Sequence, residues 1–154
     1  MRWAWVIRGL LGLVLLVSQG CWGRQVKEPP RKIDLYQDWA LQPGEDLAGY
    51  PVQSGLGDIA LDLKGRSVYM PFRGRIQPEA DTKARCVLLS SPEVPAYLFR
   101  ICGLNQPRLG EQSQGEAIGS GRIVAFATLR KQTDGTWAMV EPAKEMLAQF
   151  VSKP

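Results

Sequence analysis

The feature that most restricts this chain is a pair of cysteines set symmetrically about a turn. Cys86 is followed by Val87-Leu88-Leu89, and Cys102 is preceded by Tyr97-Leu98-Phe99-Arg100-Ile101, with Ser90-Ser91-Pro92-Glu93-Val94-Pro95 between the two runs. Short apolar and aromatic runs bounded by serine and proline read as two strands of a hairpin. If Cys86 lies opposite Cys102, Val87 meets Ile101 and Leu89 meets Phe99. Those four share a core face with Tyr97, because side chains alternate along a strand and a one-residue slip would turn them all outward. The cysteines then share the other face, where a non-hydrogen-bonded pair brings the Cβ atoms within disulfide reach. Closing such a loop contributes roughly 3 kcal/mol in the chain-entropy account. The alternative is a pair of buried free thiols.

Strand signals continue on both sides. Asp58-Ile59-Ala60-Leu61-Asp62-Leu63 alternates, with Ile59, Leu61 and Leu63 on one face and the two aspartates on the other. Gly65 marks a turn; Ser67–Met70 and Arg75-Ile76 are short strands separated by Pro71 and Gly74. Arg122–Arg130 is a longer strand, and Thr133-Asp134-Gly135-Thr136 turns the chain into Trp137–Val140. One helix is predicted, over Ala143–Val151, with Pro142 at its first turn and Met146, Leu147 and Phe150 on one side. The expected fold is mainly β: a small antiparallel β-sandwich with one short C-terminal helix.

The N-terminus reads as an address. Arg2 and Arg8 precede the apolar run Gly9–Val17, followed by Ser18-Gln19-Gly20, the charged, apolar and small-residue order of a signal peptide over 1–20. The run is shorter than the ~20 residues that span a bilayer, although Trp3, Trp5, Val6 and Ile7 would lengthen it into an uncleaved anchor. Gly20-Cys21 resembles the end of a bacterial lipobox, with Ser18 where leucine is usual. That likeness makes Cys21 the expected lipid carrier; the alternative is an ordinary cleavage site with a cysteine nearby. Residues 21–32, charged and holding Pro29-Pro30, form a lipid-proximal tether, and 33–154 form a single domain. Of the three cysteines, Cys21 is thereby spent on lipid and the remaining two suit an oxidising compartment. Removing Arg2 and Arg8 lowers 19 basic residues to 17 against 15 acidic ones, a net +2, which argues against nucleic acid as a partner.

From about Leu41 onward the order of the pieces resembles the lysostaphin-type zinc endopeptidases, which cut peptidoglycan crosslinks from a small β-sandwich (the barrel-sandwich hybrid, or duplicated hybrid motif). Gly65–Ile76 is similar to that family's Gly-x-x-Val-x-Ala-x-x-x-Gly-x-Val segment, and Leu109–Gly119 to its Gly-x-x-Ile-Gly turn. Tyr97–Leu104 stands where the family has Tyr-x-His-Leu, Ile123-Val124-Ala125-Phe126 where it has His-x-His-Phe, and Glu141-Pro142 where it has Asp-Pro. The resemblance implies a fold and a groove, and an activity that this chain cannot supply. The family's zinc is held by two histidines and an aspartate, and this chain has no histidine. Matched residue by residue, the zinc-binding His-x-His becomes Ile123-Val124-Ala125, and the active-site histidine becomes Gly103. The first ligand pair falls at Gly55 and Ile59, with Asp58 one place out of register. Carboxylates alone are poor zinc ligands, so no metal, no cofactor and no zinc hydrolysis are expected.

Other chemistries find no better footing. Asp58 and Asp62 suit calcium by ligand type but are two aspartates on the outer face of a strand, usually solvated. Ser67 with Lys64 lacks a supporting motif, and no spacing among Asp58, Asp62, Glu93, Glu111 and Glu116 selects a glycosidase pair. Gly115–Gly119 resembles a segment of the biotinyl and lipoyl carriers, without their lysine. Trp39 and Trp137 read as core or rim. Arg73, Arg75 and Arg100 form a solvated face that could hold peptide carboxylates. The expectation is therefore a non-catalytic protein, exported to the periplasmic side of a bacterial membrane and lipid-anchored there. It would bind peptidoglycan or regulate a wall hydrolase through a degenerate groove at Gly55, Asp58, Gly103, Ile123 and Ala125. The competing expectation is a structural subunit or assembly factor of an envelope membrane complex with no wall binding.

Overall fold

In a computed structural model, residues 38–80 and 85–153 are described. The signal peptide, Cys21, the tether and the start of the domain at 33–37 lie outside the described residues. In chain order the elements are β1 (Asp46–Leu47), β2 (Tyr50–Ser54), β3 (Ile59–Asp62), β4 (Ser67–Tyr69), β5 (Gly74–Pro78) and β6 (Cys86–Ser90). They continue with β7 (Tyr97–Cys102), β8 (Gly110–Gln112), β9 (Ala117–Ser120), β10 (Ile123–Lys131), β11 (Trp137–Val140) and the helix α1 (Lys144–Val151).

The cysteine hairpin is built in the register its pattern predicts: Cys86 faces Cys102, Val87 faces Ile101 and Leu89 faces Phe99. The cysteines are joined by a disulfide. Val87, Leu89, Phe99 and Ile101 are all buried in the core, so alternation and register agree. Around this hairpin a nine-stranded sheet runs β1-β2-β3-β10-β7-β6-β5-β8, with β11 paired to the second half of β10. Its neighbouring strands pair antiparallel throughout.

One face of that sheet carries the core; on the other, Ala60, Cys86 and Ala127 are buried in the floor while Ile123, Trp137 and Met139 are exposed. Cover comes from the two-stranded β4–β9 ribbon, which sends Val68 and Ile118 fully into the core, and from α1, which sends Leu147, Phe150 and Val151. Two ring contacts tie helix to sheet, Phe150 lying 5.6 Å from Phe99 and 5.5 Å from Phe126, and Phe72 in the β4–β5 connection lies 5.6 Å from Phe99. Burial of aromatic area in tilted and edge contacts is the largest single source of hydrophobic stabilisation such a small layer can draw on. The fold is mainly antiparallel β with one short C-terminal helix, a two-layer arrangement of the sandwich kind.

Some boundaries differ from expectation. The helix begins at Lys144 with Ala143 as N-cap, so Pro142 stands before the cap and not in the first turn. Met146, expected with the core, is only half-buried, and Val151 takes its place. Strands β1 and β2 carry no strong pattern: Pro51 and Gln53 interrupt the run, and one residue of each, Leu47 and Val52, reaches the core. Strands β8 and β9 form where a single turn is expected, held by pairing to β5 and β4.

Candidate functional site

Strand β10 decides which residues form the exposed face. Val124, Phe126 and Thr128 point into the core and are at most 6% exposed. By alternation Ile123, Ala125, Ala127 and Leu129 point to the opposite face. Ala125 lies between Ala60 of β3 and Cys102 of β7, and Cys102 is joined to Cys86, so one row across the sheet is two alanines and the disulfide. The next row runs Ala127, Arg100, Leu88, Gln77. The row after it runs Met139, Leu129, Leu98, Ser90, Arg75.

The structure therefore brings four of the five candidate groove positions together. Ile123 and Ala125 share the open face, with Ile123 half in solvent at 51% exposure. Gly103, directly after Cys102, has φ +90° and lies so close to β10 that a Cβ there would stand 2.5 Å from the Ile123 carbonyl oxygen. No side chain fits at that position without moving the backbone. Asp58 joins them electrostatically through Arg100. Gly55 does not: it is buried on the core side, where a Cβ would meet the Leu41 carbonyl at 3.0 Å and Ile59 Cδ1 at 3.7 Å.

Charge on this face is concentrated in Arg100 and its neighbours. Arg100 Nε lies 3.3 Å from Glu79 Oε2, the two side chains being 30% and 22% exposed. Both of those atoms are shielded from solvent and neither makes a hydrogen bond, so the pair is held by charge and not by good donor geometry. Asp58 faces the same guanidinium; burial pushes its carboxyl above the ordinary value, and the Arg100 charge partly pulls it back. At the far end of the face Arg75 pairs with Glu111 at 3.3 Å, both exposed. Arg75 and Arg73 also line a polar cleft of about 530 Å³ with Ser90, Ser91 and Pro92.

What surrounds these charges is apolar. Ile123, Met139 at 43% and Trp137 at 41% exposure stand on the open face, Met139 opposite Leu129 and Trp137 opposite Lys131. Sequence reasoning set Trp137 among core or rim residues and did not single out Met139 or Glu79. Counting in twos from Cys102 places Arg100 on this face, and the pairing of β11 with β10 places Met139 there opposite Leu129. Glu79 carries no such signal, because its partner is two strands away. Asp62, the other aspartate of the strand, accepts a hydrogen bond from Lys64 N–H at 3.1 Å. Among the described residues no three His, Cys, Asp or Glu side chains are placed to hold a metal ion. Among the same residues no helix is long and apolar enough to cross a membrane.

Chemically the face offers a floor of methyl groups and a disulfide, a guanidinium paired with one carboxylate and electrostatically coupled to another, and apolar side chains at its margin. The sulfurs are bonded to each other, so neither serves as a nucleophile. A scan against protein-family models and a search of the curated proteins both return no match for this chain.

Proposed function

We propose that this domain is a non-catalytic recognition module whose open sheet face binds peptide. The preferred partners are peptidoglycan stem peptides or the surface of a wall hydrolase. The observation that carries this reading is the composition of the face itself. Where the lysostaphin-type resemblance puts ligands and catalytic histidine, the chain presents Ile123, Ala125 and Gly103, beside Arg100, which pairs with Glu79 and whose charge acts on Asp58. Arginine on a dry floor of small residues suits the carboxylates and amides of a short peptide. On this reading the leader and a lipid at Cys21 hold the domain on the periplasmic side of a bacterial membrane, where the disulfide is maintained.

Cosedimentation with purified peptidoglycan tests it. Pelleting that survives high salt and falls with Arg100→Gln supports wall binding; a protein that stays in the supernatant overturns it.

A specific observation favours a second reading, a structural subunit of an envelope complex. Ile123, Trp137 and Met139 place exposed apolar side chains on the same face, and exposed apolar clusters are characteristic of protein interfaces. Under that reading Trp137→Ser with Met139→Ser releases a co-purifying membrane partner and leaves peptidoglycan pelleting unchanged.

A further inference from the structure

Among the described residues the covered side of the sheet is not covered to its end. At the turn-proximal ends of β7 and β10 the core-facing positions run on past the start of α1, through Phe99 and Tyr97 on β7 and Thr128 and Arg130 on β10. The result is a cleft of about 320 Å³ with a wall of Val94, Phe99, Val140 and Met146. That volume sits at the lower end of the range occupied by small-molecule sites, which are typically apolar with a few placed polar groups. Three polar side chains stand in or at the mouth of it besides Tyr97: Thr128, Arg130 and Glu141.

The two charges at the mouth are not equivalent. A Glu141 carboxylate oxygen already accepts the backbone N–H of Ala40. Arg130 has no carboxylate within ion-pair distance among the described residues. It lies directly opposite Tyr97 across β7 and β10, so a guanidinium and a phenol stand together at the rim. An apolar pocket with one uncommitted cation at its entrance selects a ligand with a hydrocarbon body and an anionic head.

We propose that this cleft binds a medium-chain aliphatic carboxylate, its chain against Phe99, Val140 and Met146 and its carboxylate on Arg130. The site lies on the face of the sheet opposite the peptide surface and stands independently of the peptide-binding reading.

The probe is decanoate below its micellar concentration, titrated into the purified chain and followed by the methyl resonances of Val94, Val140 and Met146. Decanol and decylammonium serve as controls for the head group. Saturable shifts confined to those methyls are expected, with decanoate preferred over both controls by about tenfold or more, the gain usual for a charge-assisted contact. Arg130→Gln, at an exposed position, removes the preference, and Ala143→Trp, also exposed, blocks the mouth and abolishes the shifts without lowering Tm. Absence of shifts overturns the proposal. So does equal affinity for decanol, or a response at Ile123 and Met139 in place of the cleft. Contacts between the Met146 methyl and the upstream residues Ile33 or Leu35 in the unliganded chain would show that the protein fills its own cleft, and would also overturn it.

Discussion

Arg100 and Glu79 stand 3.3 Å apart beside the Cys86–Cys102 disulfide, with the facing nitrogen and oxygen both screened from water. Partly buried charges cost desolvation that their mutual attraction offsets, so loss of one partner leaves the other uncompensated. Glu79→Gln is expected to destabilise the fold by about 1–2 kcal/mol, between the worth of an exposed pair and that of a fully buried one. Urea unfolding of Glu79→Gln, Arg100→Met and the double variant measures this. A double variant no worse than either single one is the expected result, and strict additivity would show that the two side chains do not interact.

The disulfide closes a loop with a sequence separation of 16 between its cysteines. In the chain-entropy account a loop of that size contributes roughly 3 kcal/mol, because the crosslink removes conformations from the unfolded chain. Reduction, or Cys86→Ala with Cys102→Ala, should lower stability by about that amount and leave the native sheet intact. Circular dichroism with denaturant titration reads both; an unchanged midpoint would place the stabilisation of the hairpin elsewhere.

Phe150 is fully buried and touches Phe99 and Phe126 through its ring. Its replacement leaves a cavity where the α1 ring packs against the centre of the sheet. Phe150→Ala should cost about 3–5 kcal/mol. Hydrogen exchange would then show the α1 amides losing protection to the level of local opening. Protection retained in α1 would mean that Leu147 and Val151 hold the helix without it.

The hairpin register and the buried faces of β3 and β6 were legible because a period of two leaves one assignment once a single pair is fixed. Strands β1, β2, β8 and β9 were not. Gly110-Glu111-Gln112 and Tyr50-Pro51-Val52 have no alternation, and their extended form is supplied by neighbouring strands and not by their own side chains. The same limit applied to the sites. Parity in the sequence places Arg100 on the face of the cysteines, but only the assembled sheet shows Ala127 beside it and Glu79 reaching it across β6. The cleft at Arg130 depends on where α1 starts, and that boundary was one of the positions the sequence misplaced.

Gly103 is the position where the resemblance places a histidine, and geometry bears on whether any side chain could return there. With φ +90° and the Ile123 carbonyl 2.5 Å from a Cβ, Gly103→Ala must strain the backbone or push β10 away. A loss of about 2 kcal/mol or more is expected from the backbone conformation alone. Gly65→Ala is the control, since its φ is +85° but nothing lies within 4 Å of its Cβ. Equal losses at the two positions would show that close packing against Ile123 contributes nothing.

Asp58 gives the open face a dependence on pH whose sign is fixed. Burial raises its carboxyl above the ordinary value of 3.8, the nearby Arg100 charge opposing the rise. The folded chain therefore binds this proton more tightly than the unfolded chain does. A group of that kind contributes stability fully present below the unfolded value and lost as pH rises through the folded one. At neutral pH the ionised carboxylate is a burden on the fold, so Asp58→Asn should raise the urea midpoint at pH 7 relative to the parent chain. On acidification the parent recovers through the window between the two values and the gap closes. Arg100→Gln removes the opposing charge, so in that background the Asp58 carboxyl titrates at higher pH and the window moves up with it. Carboxyl-carbon NMR titration of Asp58 follows the group directly. A stability gap between Asp58→Asn and the parent that stays constant from neutral to acidic pH would show that packing, and not protonation, accounts for the difference.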